Sequence, residues 1–241
     1  MKIYSKTDIG KKREINQDAF FAGEFDNGTV FAVVCDGMGG AKCGNVASEK
    51  AATVISDYIV KSYSPKMNST SIEKLLRAAV DSANTEVFEL ANSSDEYKGM
   101  GTTVVATLVI DNLAHIVHVG DSRVYLITNS DIEQLTIDHS IVQAMVNKGE
   151  ISAEEAKNHP RKNIITRAIG TEATVSCDYN IVLKPESATL LLCTDGLTNH
   201  VDEQALYKAI KTQPQEECST ALIDMANENG GTDNITAVLI Y

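Results

Sequence analysis

Acidic residues stand at the ends of the most apolar segments of this 241-residue chain. A carboxylate at the end of a strand lies close to the core, where an ionised group is costly unless it is paired or bound to a metal ion. Any one such aspartate is more typical of a turn or a helix cap, but four with the same local pattern indicate a shared site. The four are Asp36 after FAVVC, Asp121 after HIVHVG, Asp195 after LLLCT and Asp233 before NITAVLIY.

Positive charges near these aspartates are few. Arg13 is near Asp18 in the sequence, and Arg123 is near Asp121. The negative charge that remains predicts divalent cations at the site. An all-oxygen ligand set selects hard ions such as Mg²⁺ or Mn²⁺ over Zn²⁺ or Cu²⁺.

Motifs for other kinds of chemistry do not fit. The glycines of residues 37–40 lack the third glycine of a dinucleotide loop, and Asn45 stands where a Walker-type phosphate loop requires lysine. The chain has no GxSxG nucleophile elbow and no HExxH zinc motif. His115 and His118, three apart in a strand, face opposite sides and cannot chelate together. The other histidines are more typical of surface or hydrogen-bonded residues than of ligands; they are His139, His159 and His200.

The composition is that of an ordinary globular protein with reduced thiols. The net charge is −12, with 43% apolar residues, which excludes wholesale disorder and argues against nucleic acid as the main partner. Five cysteines without a CxxC pair favour neither a disulfide framework nor a thiolate zinc site. No apolar run approaches the ~20 residues that cross a bilayer, and the N-terminus lacks the apolar core of a signal peptide. We therefore expect a cytoplasmic protein without membrane contact.

Apolar patterning predicts the elements that must position the aspartates. Six compact, β-branched segments predict strands over 29–35, 102–110, 113–119, 124–128, 188–193 and 235–241, with a tight turn at Asp111-Asn112. Apolar residues with helical period predict helices over 47–59 and 76–90, the second opening with a capping box from Thr70 to Glu73. Two more helices fit 203–211 and the run after Pro214, a proline suited to the first helical position.

This order of elements is not the regular strand–helix alternation of a doubly wound parallel sheet. We predict an α+β fold in which two antiparallel sheets pack as a sandwich flanked by pairs of helices, in one domain over residues 1–241. Residues 138–170 are polar and helical only in short pieces, one ending at Gly149 and one opening with a capping box from Ser152 to Glu155. This insertion is predicted to be a flap that faces the substrate, the alternative being a surface excursion without function.

Short motifs follow one another along the whole chain. They are Arg13-Glu-Ile-Asn16-Gln17-Asp18, Val34-Cys-Asp36-Gly37-Met38-Gly39-Gly40, Gly101-Thr102-Thr103, His118-Val-Gly120-Asp121-Ser122-Arg123, Asp138-His139-Ser140, Thr166-Arg167-Ala-Ile-Gly170, Thr194-Asp195-Gly196-Leu197 and Gly231-Thr232-Asp233-Asn234. In this order and spacing, the motifs resemble those of the protein phosphatase 2C (PPM) family in its bacterial form.

The resemblance implies a centre of two Mn²⁺ or Mg²⁺ ions at one end of the sandwich. It implies that Asp36 bridges both ions and that Asp195 and Asp233 hold the first. The Gly37 carbonyl, and Asp18 through water, are implied to hold the second ion.

Two further positions match residues with known roles in the family. Asp121 matches the position that binds a third, weaker ion in bacterial members, and Arg13 matches the residue that contacts the substrate phosphate. Arg13 and Asp36 are therefore the expected catalytic residues. The implied activity is hydrolysis of phosphoserine and phosphothreonine in proteins by a metal-activated water. Such an enzyme would oppose a bacterial serine/threonine kinase, and we expect it to be a monomer.

Two other functions are weighed against this one. A pseudophosphatase that only binds phosphoproteins would tolerate loss of the aspartates, so the joint presence of Asp18, Asp36, Asp195 and Asp233 argues against it. A regulatory phosphatase dedicated to one anti-sigma-antagonist protein would typically carry a sensor domain, for which this chain has no room.

Two positions lack a histidine that members of the family carry. Many bacterial members have histidine directly after the glycines of residues 37–40, where this chain has Ala41, and Met38 replaces the histidine of the eukaryotic motif. Protonation of the leaving alkoxide is therefore left to a metal-bound water or to a residue of the flap.

Overall fold

The computed structural model describes residues 1–39 and 43–241; Ala41 lies outside the described residues. The strands are β1 (Ile3–Asp8), β2 (Asp18–Glu24), β3 (Val30–Met38), β4 (Gly101–Thr102), β5 (Val104–Ile110), β6 (Leu113–Val119), β7 (Arg123–Ile127), β8 (Ile132–Gln134), β9 (Asp178–Leu183), β10 (Thr189–Cys193) and β11 (Ile235–Ile240). The helices are α1 (Gly44–Ser62), α2 (Ser69–Ala91), α3 (Ile141–Asn147), α4 (Ala153–Lys157), α5 (Asp195–Thr198), α6 (Glu203–Thr212) and α7 (Gln215–Glu228).

The strands form two antiparallel sheets, which confirms the predicted α+β sandwich. One sheet has the order β1-β11-β10-β7-β8, and the other has the order β2-β3-β5-β6-β9, with β4 paired to the end of β3. Strand β3 shows how the layers are built, because its side chains alternate between two cores. Ala32 and Val34 pack between the sheets, whereas Val33 and Cys35 pack beneath α1 and α2. On the opposite face, α6 and α7 cover the first sheet with Leu206 and other buried residues.

The predicted strands are confirmed with two corrections. The strand predicted over 29–35 extends to Met38, because Gly37 and Met38 pair with β4. The segment predicted as one strand over 102–110 is two strands, β4 and β5. The other four predicted strands agree to within one residue, and Asp111 takes the left-handed conformation at the predicted turn, with φ 51°. Strands β1, β2, β8 and β9 were not predicted.

The predicted helices are present, but one predicted cap is wrong. Helix α2 begins at Ser69, and the side chain of Asn68 caps it by accepting a hydrogen bond from the Ser71 N–H at 2.9 Å. Asparagine is among the best N-cap residues, so it outcompetes the box predicted from Thr70 to Glu73. Pro214 occupies the cap of α7 rather than its first helical position. None of the helices in the described part of the chain is long and apolar enough to cross a bilayer.

The insertion between β8 and β9 contains two short helices. Helix α3 ends at Asn147, with Gly149 at φ 72°, and the predicted box from Ser152 to Glu155 caps α4. The two ends of the insertion meet at its base, where the Ile141 N–H donates to the Ile164 carbonyl at 2.9 Å. The insertion therefore leaves and rejoins the sandwich at nearly one point.

Candidate functional site

Strand ends from both sheets place the predicted aspartates at one end of the sandwich. Asp18 begins β2 and lies opposite Asp36, its partner in the ladder between β2 and β3. In the other sheet, Asp195 directly follows the Thr194 that ends β10, and Asp233 lies just before the neighbouring strand β11. Asp121 lies in the turn between β6 and β7, where the chain passes from one sheet to the other.

The charges of these five aspartates act on one another. Burial raises the pKa of Asp36 well above its ordinary value, and the charges of Asp18, Asp195, Asp121 and Asp233 raise it further. Burial raises the pKa of Asp121 to about 8, and burial followed by the charge of Asp233 raises the pKa of Asp195. The cluster therefore holds more negative charge than the surrounding protein stabilises.

Asp18 is held by uncharged hydroxyl groups. Its Oδ2 accepts hydrogen bonds from the Thr194 hydroxyl at 2.9 Å and from the Thr236 hydroxyl at 2.7 Å. Its Oδ1 is buried without a hydrogen-bond partner. Burial raises the pKa of Asp18 to about 7, although the two hydroxyl groups lower it. This carboxylate is thus fixed in orientation but not neutralised.

The backbone of Asp36 is fixed by the threonines of β4 and the residue after it. The Asp36 N–H donates to the Thr103 hydroxyl at 3.0 Å, and the Thr102 hydroxyl donates to the Asp36 carbonyl at 2.9 Å. The Thr103 hydroxyl also shares a hydrogen bond of 2.7 Å with the Ser122 hydroxyl. Gly37 follows Asp36 in β3 and donates its N–H to the Gln17 carbonyl at 3.0 Å. The end of β3 is thus bonded to the segments that carry Asp18 and Asp121.

Arg13 contacts a different aspartate from the one its sequence position indicates. Its Nη2 donates to Asp233 Oδ2 at 2.8 Å, and about half of its side chain is exposed, at 49%. Asn234 holds the loop that carries Arg13. The Asn234 side chain accepts from the Gln17 N–H at 2.8 Å and donates to the carbonyls of Ile9 and Ile15, both at 3.0 Å.

Arg123 does not pair with Asp121. Its Nε and Nη2 donate to the carboxylate of Asp138, with the shortest distance, 2.6 Å, from Nη2 to Oδ2. The charge of Arg123 still lowers the pKa of Asp121, but by less than burial raises it. Within residues 1–39 and 43–241, Arg13 is therefore the arginine that forms an ion pair with the cluster.

The close approach of two aspartate-bearing segments depends on Gly196. A Cβ atom at this position would collide with the backbone carbonyl of Asn234. Asn199, one helical turn after Asp195, donates its side-chain amide to Asp195 Oδ2 at 2.9 Å. The glycine after Asp195 thus allows α5 to pack against the segment of Asp233.

Sequence analysis identified the aspartates but not the uncharged residues that hold them. These residues are Thr102, Thr103, Ser122, Thr194, Thr236 and Asn234. Most of them flank a predicted aspartate or belong to one of the quoted motifs, and that adjacency was the available signal. Thr236 gave no such signal, because it lies within an apolar strand.

Comparisons with known proteins agree with this architecture. The sequence profile of the protein phosphatase 2C family matches residues 10–239. The serine/threonine phosphatase stp of Listeria monocytogenes is 42% identical over 236 residues, covering 98% of this chain and 93% of that protein. The serine/threonine phosphatase of S. agalactiae has a structure with TM-score 0.92 and 36% identity, covering 100% of this chain and 98% of the other.

A further similar structure contains metal ions. The catalytic domain of the serine/threonine phosphatase PstP in complex with two manganese ions has TM-score 0.84 and 29% identity, covering 99% of this chain and 96% of that one. The fold, the sequence profile and the similar proteins all indicate the same family. The chain belongs to the protein phosphatase 2C family of serine/threonine protein phosphatases.

Proposed function

We propose that this protein hydrolyses phosphoserine and phosphothreonine in proteins, with Mn²⁺ or Mg²⁺ held by the aspartate cluster, and that its substrates include a bacterial serine/threonine kinase. The observation that supports the proposal is the excess of buried negative charge at one end of the sandwich. Burial and mutual repulsion raise the pKa values of Asp36, Asp121 and Asp195, so the carboxylates there lack compensating charge.

The donor set fits hard divalent cations. The buried Oδ1 of Asp18 has no hydrogen-bond partner, as expected of an atom that faces a cation or its water shell. All the donors are oxygens, which Mg²⁺ and Mn²⁺ prefer. In this proposal Asp36 would contribute to holding two ions, one together with Asp195 and Asp233 and the other together with the Gly37 carbonyl and, through water, Asp18. Asp121 would hold a third, weaker ion.

Such ions, when bound, lower the pKa of water and offset negative charge on the phosphate oxygens. The protein's own residues position the phosphate group of the substrate. Arg13 uses Nη2 for Asp233, and its guanidinium has further N–H donors for the oxygens of a phosphate group. Because half of the Arg13 side chain is exposed, a phosphate on a protein surface can reach it. Asn234 holds the loop, so the guanidinium is set beside the carboxylates before substrate binds.

Metal removal tests the proposal. Protein treated with EDTA should be inactive on p-nitrophenyl phosphate and on a phosphothreonine peptide, and added Mn²⁺ should restore both activities. Asp36→Asn should not respond to Mn²⁺. Asp202→Asn is the matched control, because Asp202 caps α6, is not one of the clustered aspartates, and asparagine caps a helix equally well. Full turnover in excess EDTA would refute the proposed function.

A further inference from the structure

A cluster of buried histidines lies beside the turn that carries Asp121. His118 and His139 are each 6% exposed, and their rings stack with centroids 4.6 Å apart. His139 Nε2 lies 3.3 Å from Asp178 Oδ2. Possible ligand atoms of His118, His139 and Asp178 all lie within 4.8 Å of one another, so the first question is whether this cluster binds a metal ion.

Arg167 already supplies the positive charge of this cluster. Its Nη1 donates to Asp178 Oδ1 at 2.8 Å and lies 3.1 Å from His139 Nε2. His118 Nε2 lies 2.9 Å from the Ile137 carbonyl, so it carries a proton and donates rather than offering a lone pair. A permanently charged guanidinium therefore occupies the position that a metal ion would need. The cluster serves a purpose other than metal binding.

Two hydrogen bonds join His139 to Gly120. The Gly120 N–H donates to His139 Nδ1 at 3.1 Å, and the His139 N–H donates to the Gly120 carbonyl at 2.9 Å. Because the Gly120 N–H can only donate, Nδ1 is the acceptor of this bond, and Nε2 lies between Asp178 Oδ2 and Arg167 Nη1. Burial lowers the pKa of His139, which keeps the ring neutral and the Nδ1 lone pair available.

Gly120 determines where Asp121 lies. Its φ of 105° is in the region that favours glycine, and a Cβ atom there would press against the Thr103 side chain at 2.6 Å. Asp121 is the next residue along the chain. The hydrogen bond from the Gly120 N–H to His139 therefore fixes the residue directly before Asp121.

The same histidine is bonded to the base of the insertion. The Thr166 N–H donates to the His139 carbonyl at 2.7 Å, and Arg167 follows directly. The outgoing and returning segments of the insertion are thus joined to each other through His139, and through it to the turn at Gly120.

We infer that His139 is a positioning residue that sets the Gly120–Asp121 turn and couples it to the base of the insertion, and so controls the affinity of the weaker ion at Asp121. This inference rests on the proposed function, in which Asp121 holds that ion. Residues that orient a metal ligand typically change metal affinity by about 10- to 100-fold when substituted. The ions at Asp36 should be affected much less, because the backbone of Asp36 is bonded directly to Thr102 and Thr103 and not to His139.

Two substitutions distinguish the role of His139 Nδ1 from that of His139 Nε2. His139→Asn places an amide oxygen near the position of Nδ1 and can still accept from the Gly120 N–H. His139→Gln carries its amide one bond farther out, towards Asp178, and loses that acceptor. His115→Gln is the matched control, because His115 is another buried histidine, in β6, and its Nδ1 shares a hydrogen bond of 2.6 Å with the Tyr179 hydroxyl.

Mn²⁺ binding to EDTA-treated protein, followed by electron paramagnetic resonance, is the primary measurement. We expect His139→Gln to weaken the weakest Mn²⁺ site about tenfold or more and to leave the tighter sites unchanged. His139→Asn and His115→Gln should stay within about threefold of the parent. The Mn²⁺ concentration for half-maximal turnover of p-nitrophenyl phosphate should rise in parallel for His139→Gln, with turnover at saturating Mn²⁺ nearly that of the parent.

A second variant keeps the inference testable if His139→Gln does not fold. Asp178 is half exposed, so Asp178→Asn should fold, and it loosens the ring by weakening the contact between His139 Nε2 and residue 178. It should weaken the weakest site by a few-fold in the parent and have no further effect in Asp121→Asn, where that site is already lost.

The inference is overturned if Asp178→Asn weakens Mn²⁺ binding equally in both backgrounds, or if a folded His139→Gln binds Mn²⁺ as the parent does. It is also overturned if His139→Asn and His139→Gln lose affinity equally, which would show only general damage to the fold. A parent protein that is fully active without Mn²⁺ would instead refute the proposed function.

Discussion

Asp18→Asn should make the metal-free protein more stable at high pH, relative to the parent, than at low pH. The pKa of Asp18 is raised from 3.8 to about 7, chiefly by burial. The folded protein therefore keeps this proton at pH values where the unfolded chain has released it. Stability falls as pH rises wherever the folded state binds more protons, so Asp18 destabilises the metal-free fold increasingly from about pH 4 to pH 7. Asparagine does not ionise and escapes this effect.

The magnitude follows from the two pKa values. Each pH unit between them contributes about 1.4 kcal/mol, so the penalty is about 2 kcal/mol at pH 5 and about 4 kcal/mol at pH 8. The side-chain amide introduced by Asp18→Asn adds a buried donor with a cost of its own, but that cost is the same at both pH values and cancels. Stability relative to the parent should therefore rise by about 2 kcal/mol or more between pH 5 and pH 8. Removing the charge of Asp18 also lowers the pKa of Asp36, which acts in the same direction.

Urea unfolding in EDTA, followed by circular dichroism at pH 5 and pH 8, measures this difference. Asp178→Asn is the control, because the pKa of Asp178 is shifted in the opposite direction. Burial raises the pKa of Asp178, but hydrogen bonds from His139 and Arg167 outweigh it, so the net pKa is lowered. A lowered pKa contributes stability that is fully present above 3.8, so Asp178→Asn should cost the same at both pH values.

Saturating Mn²⁺ should stabilise the parent more than Asp18→Asn. A ligand at one hundred times its Kd stabilises the folded state by about 2.7 kcal/mol, and Asp18→Asn should gain less than the parent because it has lost a donor. If Asp18→Asn and the parent differ by the same free energy at pH 5 and pH 8 without metal, the cluster is not under electrostatic strain and the reasoning is wrong.

Four further predictions concern activity and packing. Asp36→Asn should lower turnover of p-nitrophenyl phosphate about 100-fold or more, the loss typical of a major electrostatic group; Asp121→Asn should be partly rescued by added Mn²⁺, and parental behaviour at every concentration would exclude a metal at Asp121. Ala41→His should raise turnover of a phosphothreonine peptide about tenfold to 100-fold and leave that of p-nitrophenyl phosphate unchanged, because only the alkoxide needs a proton donor; equal effects on both substrates would count against this role. Gly196→Ala should lower the free energy of unfolding by about 2 kcal/mol or more, measured in urea, since its Cβ meets the Asn234 carbonyl; unchanged stability would mean that this contact relaxes freely.

The strands that sequence analysis missed are the edge strands of the two sheets. β1 and β8 flank one sheet, and β2 and β9 flank the other. Central strands are buried on both faces and form continuous apolar runs, as in the segment TLLLC of β10. Edge strands are half-exposed, as in the segment DYNIVL of β9, and carry polar residues that blur the pattern. The missing signal is a consequence of burial, so composition alone identifies the middle of each sheet but not its borders.

At the site, local patterns predicted which residues matter but not which residues they contact. Asp18 was found through its motif, yet its partners Thr194 and Thr236 lie 176 and 218 positions away in the sequence. Arg13 was expected near Asp18 and instead pairs with Asp233, 220 positions away. Contacts of this range are set by which strands become neighbours, and strand order is not encoded in any single motif.

The choice of partners explains why this cluster is suited to cations. Two charges 4 Å apart interact by about 4 kcal/mol near a protein surface, so an arginine on each aspartate would oppose every incoming metal ion by a comparable amount. Instead Arg123 is bound to Asp138, and Asp18 is oriented by two hydroxyl groups that carry no charge. Hydroxyl donors fix the carboxylate while leaving its charge for the ion. The instability of the metal-free cluster and its affinity for cations therefore have the same origin. Any substitution that relieves the instability should weaken the binding of cations.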